Sequence, residues 1–208
     1  MPAPPPPTVP QWGLLPLPRG RAAEPFARQW LADRLGHAPD ALRIHRSPQG
    51  RPMLESPAGV DCNWSHSGDR LAVALGRGVQ VGIDIELVRP RPRALELARR
   101  FFAPAEADWL AAPGRGDPVH DFIRLWCAKE AVLKAHGRGL SFGLEKLEFR
   151  ASGGTLQLVC CDPALGAPDD WQVLGLAPAP GYLGALAWRA PAPAHVPAAG
   201  PTGHTAPR

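Results

Sequence analysis

Residues 79–86 of this chain read Val-Gln-Val-Gly-Ile-Asp-Ile-Glu. From Val81 onward the alternation is strict. It places Val81, Ile83 and Ile85 on one face of a strand and Gly82, Asp84 and Glu86 on the other. Upstream, Ala23, Ala27, Trp30, Leu31 and Leu35 recur at helical spacing and Gly36 ends the pattern, which predicts a helix over Ala22–Leu35. Short apolar runs follow at Ala41–Ile44 and Leu71–Leu75. The second is joined to Val79–Glu86 through Gly76-Arg77-Gly78, which predicts a tight hairpin.

Beyond Pro90 and Pro92, helices are expected over Ala94–Phe102, Pro104–Ala112 and Asp117–His136, with Asp117 as N-cap and Pro118 at the first helical position. Strands are expected near Leu144–Phe149, Thr155–Cys161, Trp171–Leu176 and Tyr182–Trp188. Helix-then-strands therefore occurs twice. The reading is an α+β fold of two similar α/β lobes related by a pseudo-twofold axis, an N-terminal lobe over 19–89 and a C-terminal lobe over 90–190. The Pro-rich segment 1–18 and the Ala/Pro tail 191–208 are expected to be disordered.

The chain has 208 residues, 45% of them apolar and 20% charged, enough for one full core or two small lobes sharing an interface. A basic region followed by an apolar stretch is missing from the start, and about eighteen consecutive apolar residues occur nowhere, so a cytoplasmic protein with no membrane role is expected. Cys62, Cys127, Cys160 and Cys161 lack metal-site spacing and are read as reduced core thiols. The net charge of +4 is too mild for a nucleic-acid protein but favours an acidic partner. Of 23 basic residues only Lys129, Lys134 and Lys146 are lysine. Two of them lie five residues apart, which suggests a site needing a compact ammonium rather than a planar fork.

Three segments carry candidate chemistry. Asp84 and Glu86 side by side repel unless a cation sits between them, and a hard-oxygen pair suits Mg2+; alternating acidic residues also occur on exposed strand edges. In Trp126-Cys127-Ala128-Lys129-Glu130-Ala131-Val132-Leu133-Lys134, helical spacing puts Glu130 and Lys134 on one face. A surface ion pair would look the same, but Phe122, Leu125 and Leu133 make the helix look buried. Asn63-Trp64-Ser65-His66-Ser67-Gly68-Asp69 offers small hydrogen-bonding groups that suit either an anion or a capped turn. Adjacent Ser65 and His66 do not form a hydrolase pair, and no Gly-x-Ser-x-Gly elbow is present.

Taken in order with Gly50-Arg51-Pro52, these segments resemble the signature motifs of Sfp-type 4'-phosphopantetheinyl transferases, and the resemblance runs from about Arg28 to Trp188. It implies transfer of phosphopantetheine from coenzyme A to a serine of an acidic acyl or peptidyl carrier protein, with release of 3',5'-ADP. It further implies that Asp84, Glu86 and Glu130 hold Mg2+, or Mn2+ in its place. Arg28, Arg51, Ser65 and His66 would bind the adenosine end of coenzyme A, and Lys129 and Lys134 its phosphates. Glu130, as base, and Lys134 would be catalytic. Arg51 stands where the family usually has Lys, Ala131 where it often has Ser, and the stretch before Arg28 is short. The double-lobed length suggests a monomer. A catalytically inactive, regulatory CoA-binding relative is the alternative, and a basic nucleic-acid binder is disfavoured by carboxylates beside the lysines.

Overall fold

The computed structural model describes residues 8–114 and 116–191. The first half comprises β1 (Gln11–Pro16), α1 (Glu24–Leu35), the short pair β2 (Ile44–Arg46) and β3 (Pro52–Leu54), then β4 (Val60–Ser67) and β5 (Arg70–Arg77). The second half runs through β6 (Gln80–Leu87), α2 (Ala94–Phe101), α3 (Pro104–Ala111), α4 (Pro118–His136), the pair β7 (Leu147–Ser152) and β8 (Thr155–Cys161), then β9 (Gln172–Leu176) and β10 (Tyr182–Arg189). The two main sheets have the orders β1-β5-β4 and β6-β10-β9, all antiparallel. One plan is thus used twice: strand, helix, short hairpin, long hairpin. This is the α+β architecture of two similar lobes that the sequence predicts.

The layers follow from residue alternation. Leu71, Val73 and Leu75 of β5 pack under α1, while Ala72 and Ala74 face Val81, Ile83, Leu186 and Trp188 of the other sheet. Leu183, Ala185 and Ala187 of β10 pack under α4. Each sheet is therefore covered on both faces, which explains why its central strands read as unbroken apolar runs. In α4, Asp117 caps the helix by accepting from the Val119 amide at 2.9 Å, Pro118 starts it, and Gly137 ends it at φ 85°. Glycines set the closest helix approach. A Cβ on Gly82 would overlap the Ala131 carbonyl and the Ala135 amide, and one on Gly13 would overlap the Trp30 indole of α1.

Four expectations change. Gly76–Gly78 is not a hairpin: β5 already pairs with β1 and β4 on its two edges, so β6 passes to the second sheet and pairs with β10. β6, which lies before the expected 89/90 boundary, thus joins the second sheet. Within the segment 1–18, residues 11–16 form β1, an edge strand that ends on Pro16, a place where proline removes no ladder bond. Residues 63–67 lie in β4 rather than in a capped turn, with the turn at Gly68 and Asp69. Cys62 and Cys127 are buried free thiols, but Cys160 is exposed. The expected disorder of the tail concerns residues that, from 192 onward, lie outside those described.

The edge of β6 is not left open. Side chains of β4 take the place of a backbone ladder: Asp61 Oδ2 accepts from the Val81 amide at 2.8 Å, Asn63 Oδ1 from Ile83 at 3.1 Å and Ser67 Oγ from Leu87 at 3.1 Å. This satisfies buried donors and fixes β4 against β6, which sets the geometry of the site.

Candidate active site

Asp84 stands in the middle of β6, buried at 3% exposure. Its Oδ1 accepts from Ser65 Oγ at 2.7 Å and meets Lys134 Nζ at 2.5 Å. Lys134 also donates to Ser65 Oγ at 3.1 Å and lies 3.4 Å from Glu130 Oε2 one helical turn away. The contact of Gly82 with α4 is what brings Glu130 and Lys134 down onto Asp84. Burial, and next the charge of Asp84, push the Glu130 carboxyl up to about 7, with Lys134 pulling the other way. Burial alone would lower the Lys134 ammonium, but Asp84 and Glu130 outweigh it and raise it.

Glu86, two residues on, accepts from Ser67 Oγ and from Arg91 Nη2, each at 3.1 Å. Asp84, Glu130, Lys134 and Ser65 are therefore brought together, while Glu86 is adjacent but turned to its own partners. Among the described residues no three His, Cys, Asp or Glu side chains converge tightly enough to hold a metal ion. The carboxylates are instead partnered by cations of the chain: Lys134 contacts both Asp84 and Glu130, and Arg91 holds Glu86. One atom fits a cation nevertheless. Asp84 Oδ2 is buried with no hydrogen-bond partner, a costly condition for a carboxylate, and the surrounding donors are hard oxygens.

Beside this cluster lies a cleft of about 290 Å3 lined by Arg46, Arg51, Asn63, Trp64, Lys134 and Gly137, among others. Arg51 forms part of the wall, but its fork is committed. It grips Asp61 at 2.9 and 2.5 Å and donates to the carbonyls of Val81 at 3.0 Å and Lys134 at 2.7 Å, tying α4 to both halves. Arg28 does not line the cleft; it pairs with Glu24 at 3.1 Å and donates to the Leu42 carbonyl. His66 is exposed and on the face of β4 opposite Ser65, so the two cannot act side by side.

The assignment of Lys129 to phosphate is corrected. Its side chain is fully buried, paired with Glu106 at 2.6 Å, and donates to the carbonyls of Leu144, at 2.9 Å, and Leu147. Burial lowers the Lys129 ammonium and raises the Glu106 carboxyl. Glu106 also accepts from the Ala103 and Phe149 amides, so the pair joins α3, α4 and β7 as a structural strut.

Sequence reading missed Asp61, Asn63 and Ser67 as a set, Arg91, and Arg46. The first three were legible as polar residues at every second position from 61 to 67, the mark of a strand with one polar face. Arg46 lies 4.7 Å over the Trp64 ring at the cleft wall and pairs with Glu24 at 2.7 Å. Only tertiary packing reveals it.

The chain is similar in sequence to known proteins. Residues 80–174 match the model of the 4'-phosphopantetheinyl transferase superfamily, a match that starts at β6. A putative 4'-phosphopantetheinyl transferase, slr0495 of Synechocystis, is 38% identical over 119 residues, 56% of this chain and 48% of that protein. The 4'-phosphopantetheinyl transferase Sfp of Bacillus subtilis is 33% identical over 52% of this chain and 47% of its own. HetI of Nostoc, also a 4'-phosphopantetheinyl transferase, is 32% identical over 173 residues, 81% of this chain and 70% of its own. The chain thus spans about half the length of the first and of Sfp, and more of HetI. A crystal structure of Thermotoga maritima holo-[acyl-carrier-protein] synthase aligns at TM-score 0.44 and 25% identity over 53% of this chain and 62% of that one. With HetI matched across most of both chains, and the superfamily model matched from β6 into β9, the chain belongs to the 4'-phosphopantetheinyl transferase superfamily.

Proposed function

We propose that this chain transfers the 4'-phosphopantetheine arm of coenzyme A to a serine of an acyl or peptidyl carrier protein, releasing 3',5'-ADP. The observation that carries the reading is the buried, unpartnered Asp84 Oδ2 beside Glu130 and Lys134, at a cleft between the two halves. A Mg2+ ion held by Asp84, Glu130 and Glu86 would neutralise charge on the pyrophosphate when bound there. Glu130 lines the cleft and is the candidate group to take the proton of the attacking serine hydroxyl. Lys134 lines the cleft and supplies an ammonium to the phosphates, where leaving-group charge develops. Arg46 and Trp64 offer a cationic, aromatic wall for the nucleotide end.

Carrier proteins of this kind are acidic, and Arg99 and Arg100 of α2 are exposed, with Arg89 exposed just before it. That surface is the proposed docking face. The protein is proposed to act as a monomer in the cytoplasm; among the described residues no helix is long and apolar enough to cross a membrane. The regulatory, inactive alternative is disfavoured by the mutual contact of Ser65, Asp84, Glu130 and Lys134, which mere nucleotide binding does not require. The test is chromatographic. With coenzyme A, Mg2+ and an apo carrier, 3',5'-ADP should appear only when the carrier is present, and its absence across acyl and peptidyl carriers, with coenzyme A still bound, would support the regulatory reading.

A further inference from the structure

Two carboxylates, Asp84 and Glu130, share the site with Glu86 beside them, and two cations of the chain answer the three. Lys134 contacts Asp84 at 2.5 Å and Glu130 at 3.4 Å, and Arg91 contacts Glu86 at 3.1 Å. The Lys134 side chain is 27% exposed and lines the cleft, so its four-carbon stem has open space to turn into. Asp84 Oδ2, buried and unpartnered, marks a position still in want of positive charge.

We propose that Lys134 is the resident counter-cation of the Asp84–Glu130 pair, displaced when a divalent cation enters and thereby delivered to the pyrophosphate. The inference rests on the proposed reading of the site and deepens it. One ammonium holds two carboxylates together, and a divalent ion bound by the same oxygens gains more from each while repelling the ammonium at contact distance. Loading the cation and presenting Lys134 to the ligand are then a single exchange. Lys134 acts first as a placeholder that keeps Asp84 and Glu130 from spreading apart, and only then as a phosphate contact. The cost is affinity: the empty protein binds the cation more weakly than its carboxylates alone would, because the ammonium must be expelled.

The test uses the full chain without coenzyme A or carrier. Free Mn2+ is titrated by electron paramagnetic resonance against the wild type, Lys134→Gln, Lys134→Met and the surface control Lys146→Gln. Lys146 pairs at 3.7 Å with Asp162, outside the site. Removing the ammonium is expected to tighten Mn2+ binding at least about tenfold in both Lys134 variants, with Lys146→Gln unchanged. Saturating Mn2+ should also raise the melting temperature of Lys134→Gln more than that of the wild type. Unchanged or weaker Mn2+ affinity in the Lys134 variants overturns the exchange. If the variants unfold without metal, refolding on Mn2+ addition supports it and persistent unfolding overturns it. Carrier modification by the wild type, assayed separately, distinguishes the two levels. Modification with no gain in Mn2+ affinity removes the exchange alone, whereas no Mn2+ binding and no modification removes the functional reading as well.

Discussion

Gly82 of β6 lies directly beneath the Ala131 carbonyl of α4, with no room between them for a Cβ. The helix that carries Glu130 and Lys134 is seated by this one contact. Gly82→Ala must lift α4 from the sheet, and overpacking of this kind costs about 3 kcal/mol. We expect a lower denaturation midpoint and an activity loss larger than the stability loss explains, since Glu130 and Lys134 move away from Asp84. A Gly82→Ala protein with wild-type midpoint and turnover would show that the close approach is not what sets the site.

Glu130 gives the protein a pH signature in EDTA. Its folded carboxyl, near 7, lies above the ordinary value of 4.5, so the folded state holds the extra proton. Stability from this group is fully present below about 4.5 and is lost as pH rises through about 7, by up to about 3 kcal/mol. Urea midpoints measured from pH 5 to 8 should fall for the wild type and stay flatter for Glu130→Gln. Activity should drop at least about a hundredfold in that variant, since it can neither take the serine proton nor ligate as a carboxylate.

Breaking the Glu106–Lys129 strut should affect folding and not ligand binding. Removing one member of a buried ion pair leaves the other uncompensated, at about 3–5 kcal/mol. Lys129→Met is expected to lower the urea midpoint sharply, and Lys129→Met with Glu106→Leu to recover part of the loss. Wherever the variant remains folded, calorimetry should give wild-type affinity for coenzyme A. A stable Lys129→Met protein with lost affinity would return this lysine to the binding site.

Arg46 was found only in the folded chain, and its role is separable from chemistry. With its guanidinium over Trp64 at the cleft wall, Arg46→Ala should raise KM for coenzyme A about tenfold, leaving kcat within about twofold. A fall in kcat with unchanged KM would place it at the reacting end instead.

Much of the fold was legible because α4, β8 and β10 carry their signals locally: a capped, proline-started helix and apolar strands bounded by turns. The pairing of β6 was not. A Gly-Arg-Gly turn between two apolar runs favours a hairpin locally, but β5 had already spent both edges on β1 and β4. The strand β1 was hidden by prolines that edge strands tolerate. At the site, with Ser65 drawn in only by the family resemblance, periodicity put Asp84 beside Glu86 on one strand face and Glu130 beside Lys134 on one helix face. It could not show that Lys129, one residue before Glu130, is buried against Glu106 outside the cleft lining, nor that Arg51 is held by Asp61. Those depend on partners distant in sequence.

The central claim is tested most directly by the intact mass of an acidic apo carrier protein after incubation with this chain, coenzyme A and Mg2+. The account predicts a gain of one phosphopantetheine, absent with EDTA and absent with Glu130→Gln. An unmodified carrier under conditions where the wild-type chain binds coenzyme A, or full modification by Glu130→Gln, would contradict it.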